Sequence, residues 1–424
     1  MTASDVALIG ALIFAWGALS ARLERADVTA PIIFIGAGLL LTHGPLAVLG
    51  IAPGPEAVRA LAEATLVLVL FADASRVDLG KLRADWTLYA RLLAVGLPLT
   101  IGLGTLLAFV LLPEADIWLA LLVGAALAPT DAALGAGMIL NPLVPERIRR
   151  LINVESGLND GIATPFVAVA LAGAATAEHA TGPTPATAVA ELAIGLLVGA
   201  AVGSAGGWLL RLALRRGWAA GPSAAPAVLA LAACAYSSSL ALHGNGFIAA
   251  FTGGIAFGST AGHRGESLMS FVEDAGGLVS LLVWLAFGAV AVAPAFTGLT
   301  WQVVLYAGLS LTIIRMAPVA LALAGSGLGR AATAFIGWFG PRGLASVVFG
   351  LLALEELGHD TAEPAVTAIG VTVVLSVIIH GATADPLARR YGPSLIPAQH
   401  DAMAATGPPM PVRRLTRKAT TPSL

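Results

Sequence analysis

The sequence predicts an all-α polytopic membrane protein with about 13 transmembrane helices. Hydrophobic residues make up 57% of the 424-residue chain and charged residues only 11%, whereas a soluble chain carries roughly a quarter charged residues. Apolar runs of about twenty residues, the length of a helix that spans a bilayer, recur from one end of the chain to the other. These two observations indicate a bundle of membrane-spanning helices.

The composition argues against several other classes of protein. A single cysteine, Cys234, leaves no intramolecular disulfide framework and no cysteine metal cluster. The seven histidines show no metal-ligand spacing, so no cofactor is predicted. The formal net charge of −2 gives no indication of a nucleic-acid partner. The first apolar run lacks a basic leader and a small-residue cleavage site, which argues against a cleavable signal peptide.

Thirteen apolar segments are predicted to span the membrane. The abundant alanine and glycine of the chain fit close packing between such helices in lipid. In chain order, the approximate bounds of the segments are 4–20, 30–48, 57–74, 88–112, 117–139, 149–174, 187–210, 224–242, 245–259, 268–293, 301–324, 332–354 and 364–387.

Basic residues fall on alternate connecting segments, which predicts the orientation of the chain. The loops on the other side hold almost no basic residues, and those at 113–116 and 355–363 are acidic or neutral. Because basic loops remain in the cytoplasm, the N-terminus is predicted outside and the C-terminus inside. The inner basic residues are Arg22, Arg25, Arg76, Lys81, Arg83, Arg147, Arg149, Arg150, Arg211, Arg215, Arg216, Arg264 and Arg330, with Arg389, Arg390, Arg413, Arg414, Arg417 and Lys418 in the tail.

The segments divide into two six-helix repeats of opposite orientation within a membrane domain of residues 1–392. The repeats cover about 4–174 and 224–387, and the span at about 187–210 links them. Residues 393–424 are predicted to form a short disordered cytoplasmic tail.

Spans 5 and 12 correspond in the two repeats, and both are interrupted by proline or glycine. The interruptions are Pro129-Thr130-Asp131 and Gly340-Pro341-Arg342-Gly343. Interrupted helices at matching places in inverted halves indicate a transport site, where the two are predicted to cross near the midplane. Asp131 is expected to compensate the positive ends of the half-helices there, and Arg342 the negative ends.

The sixth span carries polar groups that are costly in a bilayer. Ser156 and Asp160 are four residues apart and share a helix face, and Glu155 and Asn159 share the neighbouring face. A carboxylate, hydroxyls and freed carbonyls are oxygen ligands, which suit a hard cation rather than a transition metal. Thr130, at the interruption of the fifth span, supplies further oxygens. Asp73, at the inner end of the third span, is another candidate ligand.

These residues resemble the signature of a known family. Pro129-Thr130-Asp131 followed by Glu155-Ser156-Gly157-Leu158-Asn159-Asp160-Gly161 is similar to the NhaP-type sodium/proton antiporters of the monovalent cation:proton antiporter-1 family. The resemblance covers about residues 5–390. Supporting matches are Phe271 to Gly288, Arg315, Gly340-Pro341-Arg342-Gly343 and His380-Gly381.

The resemblance implies thirteen helices in inverted repeats and a homodimer in a prokaryotic cell membrane. It implies a role in pH homeostasis, in which Na⁺ is exchanged for H⁺ by an elevator-like movement of the core. Asp160 looks like the carboxylate that binds ion and proton, and Glu155 with Arg315 like a buried structural ion pair. Asn159, where electrogenic relatives have aspartate, suggests one-for-one exchange. The candidate ion-binding residues are Asp160, Ser156, Thr130, Asp131, Asp73 and Asn159, with Asp160, Ser156 and Thr130 as monovalent-cation ligands.

Two positions depart from the family pattern. Ala132 replaces the usual proline after Thr130-Asp131, so the helix interruption depends on Pro129 instead. Asp73 replaces a longer glutamate found in some members, which weakens the expectation that it reaches the ion.

Structural interpretations stand beside these roles. Thr130 and Ser156 can bond back to their own helices, and Asp73 can be a solvated residue at a helix end. Asp131 fits a direct ligand or a compensator of helix ends. Glu155 with Arg315 fits a structural pair, because lone buried charges are costly.

Other functions are also compatible with parts of the sequence. The same oxygen ligands in a looser cavity would suit K⁺/H⁺ exchange. An intramembrane hydrolase would use Ser156 or His380, although no Ser–His or paired-Asp spacing supports it. A cation channel would need a repeated filter sequence, and none is visible.

Overall fold

The structure, a computed structural model, describes residues 2–24, 28–43, 55–76, 85–135, 138, 141–178, 185–262 and 268–391. The predicted tail, residues 393–424, lies outside the described residues. So do four of the predicted inner basic residues that precede the tail: Arg25, Lys81, Arg83 and Arg264.

Within the described part of the chain, all regular secondary structure is helical, as the sequence predicts. A short 3-10 turn, Ala132–Gly135, follows the fifth helix. The helices are α1 (Ala3–Glu24), α2 (Ala30–His43), α3 (Pro55–Ser75), α4 (Trp86–Leu111), α5 (Ile117–Ala126), α6 (Glu146–Glu178), α7 (Pro185–Arg215), α8 (Gly221–Ala241), α9 (Gly246–Ala261), α10 (Met269–Thr297), α11 (Trp301–Ala322), α12 (Arg330–Trp338), α13 (Leu344–Leu357) and α14 (His359–Tyr391).

Many of these helices have the length and composition of membrane spans. Eight of those in the described residues are long and apolar enough to cross a bilayer, and α2, α5 and α9 are shorter apolar helices. Every predicted span overlaps at least one helix, and the twelfth is divided between α12 and α13. The chain is therefore a polytopic membrane protein, while the number of spans remains a prediction.

Several helices extend beyond the apolar segments that predicted them. The sixth span was expected to begin at about residue 149, and α6 begins three residues earlier, at Glu146, and includes Arg147. The N–H groups of Ile148 and Arg149 donate to the Pro145 carbonyl at the start of the helix. Arginine and glutamate are good helix formers, so a helix can continue past the point where the hydrophobic signal stops.

Two spans lose their helical backbone part-way along. Helix α5 ends at Ala126, and residues 128–131 are non-helical before the turn Ala132–Gly135. Helix α12 ends at Trp338, and α13 begins only at Leu344. The predicted interruptions of the fifth and twelfth spans are therefore present.

Proline explains both interruptions, and a hydrogen bond joins them. Pro129 and Pro341 have no N–H to donate, and each disfavours helical backbone in the residue before it. The Asp131 N–H donates to the Pro341 carbonyl over 2.8 Å. The two non-helical segments, called here the crossing (128–131 and 339–343), therefore contact one another.

Glycine allows α7 to pack closely against α9. A Cβ on Gly195, Gly199 or Gly203 would overlap Asn245, Ala249 or Gly253 respectively. Glycines four residues apart share one helix face, so the backbones approach along a continuous strip. This is the close packing in lipid that the composition predicts.

Candidate functional site

Two side chains of α6 hold the first half of the crossing. The Ser156 hydroxyl donates to the Thr130 carbonyl over 2.6 Å and accepts from the Ala132 N–H over 2.8 Å. The Asn159 amide donates to the Thr130 hydroxyl over 2.7 Å, and its oxygen accepts from the Thr130 N–H over 3.3 Å. Thr130 is thus fixed to α6 through its N–H, carbonyl and hydroxyl groups.

Asp160 lies one helical turn beyond Ser156 and is 8% exposed. Gly157 and Asp160 are three residues apart on α6, so they lie on the same side of the helix. Asp73 of α3 faces that side, because a Cβ on Gly157 would lie 3.5 Å from the Asp73 Cβ. The two aspartates therefore approach the same region from different helices.

Asp73 also lies beside an arginine. The Arg76 Nη1 atom is 4.0 Å from an Asp73 carboxylate oxygen, and the Arg76 Nε donates to Glu273 of α10 over 2.8 Å. A cation at Asp73 would compete with this fixed positive charge. Glu273 falls within the match from Phe271 to Gly288, but its bond to Arg76 is not predictable from the sequence, because the two residues lie 197 positions apart in the chain.

Asp131 lies at the start of α13. Its carboxylate accepts from the Leu344 N–H over 3.4 Å, and Leu344 is the first residue of that helix. A Cβ on Gly343 would overlap the Asp131 side chain, so only glycine permits this approach. A negative charge at this place is favourable beside the positive end of a helix.

Arg342 is fully buried in the crossing. Its guanidinium donates to the Ala128 carbonyl over 2.8 Å and to the Ser310 carbonyl of α11 over 3.0 Å. Ala128 follows the last turn of α5, where helix carbonyls lack partners. The guanidinium therefore lies at the negative end of that helix. The backbone N–H of Arg342 donates to the Ser376 hydroxyl over 2.6 Å.

Three further polar groups support the crossing: Ser346 and Ser376, which the sequence analysis did not name, and His380, which it did. The Ser346 hydroxyl donates to the Ala126 carbonyl over 2.6 Å, and the His380 Nε2 lies 3.0 Å from the Trp338 carbonyl at the end of α12. Ser376 and His380 are four residues apart in the apolar helix α14. This spacing was the available signal for a polar face directed at the interruption.

Glu155 and Arg315 form a buried ion pair between α6 and α11. The guanidinium donates to the two carboxylate oxygens over 2.8 and 2.7 Å. The residues are 0% and 1% exposed, respectively. A Cβ on Gly340 would lie 2.6 Å from the Arg315 Nε, so glycine is also needed where the crossing passes the pair.

The groups of this region that could bind a cation are oxygens. Within the described residues, no group of three or more His, Cys, Asp or Glu side chains forms a metal cluster. Carboxylate, hydroxyl and carbonyl oxygens suit a hard cation. Thr130, Ser156 and Asn159 are brought together, Asp160 and Asp73 lie alongside them, and Asp131 and Arg342 lie at the helix ends.

We expect Gly343→Ala to destabilise the crossing, because the added methyl group overlaps Asp131. Overpacking of this kind costs about 1–3 kcal/mol, and thermal unfolding of the detergent-purified variant should show a lower midpoint. Gly308→Ala is the matched control, since a Cβ there meets nothing within 4 Å. The control should keep or raise the unfolding midpoint, because alanine is favoured over glycine in a helix interior by about 1 kcal/mol. Equal midpoints for the two variants would contradict the close contact.

Comparisons with known proteins support a transporter fold. A family model described as "Sodium/hydrogen exchanger, transmembrane" matches residues 8–390. The structure of the sodium proton antiporter MjNhaP1 from Methanocaldococcus jannaschii at pH 8 is similar, with a TM-score of 0.74 and 16% identity. That match covers 91% of this chain and 98% of the other. An electron-microscopy structure of MjNhaP1 gives a TM-score of 0.66 at 19% identity and covers 92% and 98% of the two chains. At these identities, the likeness establishes the fold.

Proposed function

Because the chain belongs to the sodium/hydrogen exchanger family, we propose that it is a secondary antiporter that exchanges Na⁺ or Li⁺ for H⁺. One observation carries the proposal: the hydroxyl and carbonyl of Thr130 are held against Ser156 and Asn159 at the crossing, one turn from the buried Asp160. This arrangement offers oxygen ligands beside a carboxylate that can take a proton. Family and fold are those of a transporter, so the hydrolase interpretation is set aside.

We propose Asp160, Ser156 and Thr130 as the ligands of the cation. The Ser156 oxygen donates one hydrogen bond and accepts one, which leaves it a lone pair. The Thr130 carbonyl has two lone pairs and accepts from Ser156 with one of them. Both oxygens can therefore contact a cation without losing the bonds that hold the crossing. Asp73 stands in the proposal as a neighbouring oxygen ligand.

Coupling follows if proton and cation compete for Asp160. A carboxylate that is charged and empty is costly to carry through lipid. The same carboxylate is neutralised when it is protonated or cation-bound, so only the occupied forms switch readily between inward and outward access. The site then carries the cation across in one direction and returns with the proton.

We propose that exchange is electroneutral because Asn159 is held as a neutral amide. Its nitrogen donates to the Thr130 hydroxyl, which a carboxylate in its place would be unable to do. Of the neighbouring residues Asn159 and Asp160, only Asp160 then has a side chain whose charge changes. One Na⁺ for one H⁺ is the resulting stoichiometry.

We also propose the orientation of the chain in the membrane, its inverted repeats and its assembly as a dimer. Contacts gather the arginine-bearing ends of several helices on one face: Arg91 donates to the Ala324 carbonyl, Arg147 pairs with Asp85, and Asp385 accepts from Asn141 and pairs with Arg389. We assign this face to the cytoplasm, which leaves the N-terminus outside. We further propose inverted repeats linked by α7 and a homodimer in a prokaryotic cell membrane.

The proposed function is tested with the purified protein in vesicles that contain a pH-sensitive dye. Addition of Na⁺ or Li⁺ should dissipate an imposed pH gradient, whereas K⁺ should have no effect. A response to K⁺ with none to Na⁺ would reject Na⁺/H⁺ exchange in favour of K⁺/H⁺ exchange. An unequal rate under inside-positive and inside-negative membrane potentials would reject one-for-one stoichiometry.

A further inference from the structure

A groove of about 610 Å³ lies between the second half of α11 and α12. Its lining is almost wholly apolar and includes Ile313, Ala317, Ala320 and Ala334, all of which are exposed at the surface. Arg330, the first residue of α12, is also exposed and lines the groove. The groove is thus apolar along its length and basic at one end.

The helix segment that lines the groove is as long as one leaflet of a bilayer. The second half of α11 comprises the 10 residues Ile313–Ala322, which span about 15 Å at about 1.5 Å per residue. This is half of a hydrocarbon core that is about 30 Å thick. The apolar end lies at the bend of α11 at Thr312, whose hydroxyl donates to the Gly308 carbonyl over 2.6 Å. That hydroxyl is therefore satisfied within its own helix and needs no water.

The basic end of the groove lies on the arginine-bearing face. Arg91 of α4 donates to the carbonyl of Ala324 over 2.7 Å, and Ala324 also lines the groove. A second guanidinium is therefore held close to the end where Arg330 is exposed. If the arginine-bearing face is cytoplasmic, as proposed above, these two positive groups lie near the headgroups, where they favour an anionic lipid.

We propose that this groove binds one acyl chain of an anionic phospholipid, with the phosphate of the headgroup at Arg330. The lining offers a hydrocarbon chain apolar contact and offers water few polar partners, so hydrocarbon is the occupant in a membrane. The basic end then selects lipids by charge. The site is distinct from the proposed ion site, because Ile314 and Arg315 on the opposite side of α11 are buried in the protein.

The test measures lipid binding and needs no transport assay, so it is independent of the proposed antiport. The detergent-purified protein is titrated with phosphatidylglycerol or with phosphatidylcholine of the same acyl chains, and the unfolding midpoint is recorded. Native mass spectrometry counts the lipid molecules retained. Phosphatidylglycerol should raise the unfolding midpoint and remain bound in the mass spectrometer. Phosphatidylcholine should need a several-fold higher concentration for the same effects. Glycerol phosphate, which has no acyl chains, should have no effect.

Variants locate the effect in the groove. Ala320→Phe fills the groove and should abolish the rise in unfolding midpoint that phosphatidylglycerol causes. Arg330→Gln should remove the preference for phosphatidylglycerol over phosphatidylcholine. Leu321→Phe is the matched control on α11, since Leu321 is 67% exposed and does not line the groove. Arg215→Gln, at the end of α7, controls for loss of an exposed arginine. Equal binding of the two lipids by the wild type, or an undiminished shift in Ala320→Phe, would overturn the proposal.

Discussion

The Asp160→Asn variant is expected to lose cation-dependent proton exchange entirely and to keep its fold. Asparagine has nearly the shape of aspartate, but it neither binds a proton near neutral pH nor carries the negative charge that a cation neutralises. Asp160 is 8% exposed on α6, and the bonds from Ser156 and Asn159 to Thr130 do not involve its side chain. The crossing should therefore form without it.

Dye-loaded vesicles measure this loss, with protein-free vesicles as the baseline. The unfolding midpoint of the same preparation verifies the fold. Asp274→Asn is the matched control, because Asp274 is an exposed carboxylate of α10, and its removal should leave the rate unchanged. Exchange by Asp160→Asn above the baseline would refute competition of proton and cation at this carboxylate.

Arg315→Ala is expected to lower stability more than any loss of a surface charge. Removal of the arginine leaves Glu155 buried and charged without the guanidinium that donates to both its oxygens. Breaking a buried pair from one side costs about 3–5 kcal/mol. The same loss from the pair that the exposed Arg389 forms with the half-buried Asp385 costs about 1 kcal/mol or less.

Thermal unfolding in detergent distinguishes these cases. Arg315→Ala should unfold at a much lower temperature than Arg389→Ala. The double variant Glu155→Leu with Arg315→Met should recover most of the loss, since well-packed apolar residues often replace a buried pair at little cost. A normal midpoint for Arg315→Ala, or no recovery in the double variant, would show that the pair does not stabilise the core in this way.

The sequence predicted the features that follow from strong local constraints. Runs of apolar residues identified the helices, since charged groups are excluded from lipid. Pro129 and Pro341 marked both interruptions, because proline removes a backbone donor wherever it occurs. Ser156 and Asp160 stood out as polar groups in an apolar helix. In each case, the physical cause lies in the residue or in its near neighbours.

The contacts between distant segments were not predictable in the same way. Nothing near Asp73 in the chain indicates that Arg76 bonds to Glu273 of α10. Ser346 has no local signal, and the spacing of Ser376 from His380 indicates a polar face but not its partner. Only the crossing brings the Ala126 carbonyl and the Arg342 N–H beside these serines. The start of α6 differs by three residues from the approximate bound for another reason, because hydrophobicity detects only the apolar part of a helix.

Arg342 connects segments that lie far apart in the chain. Through its guanidinium and backbone N–H, it joins the end of α5, the middle of α11 and α14. None of these can slide past another without exposing a buried cation and several carbonyls, so we expect the crossing to move as one rigid block if the core moves during transport. Asp73 belongs to α3, which none of these bonds includes. Spin labels on α5 and α14 should accordingly keep a constant separation through the transport cycle, and a label on α3 should change its distance from both.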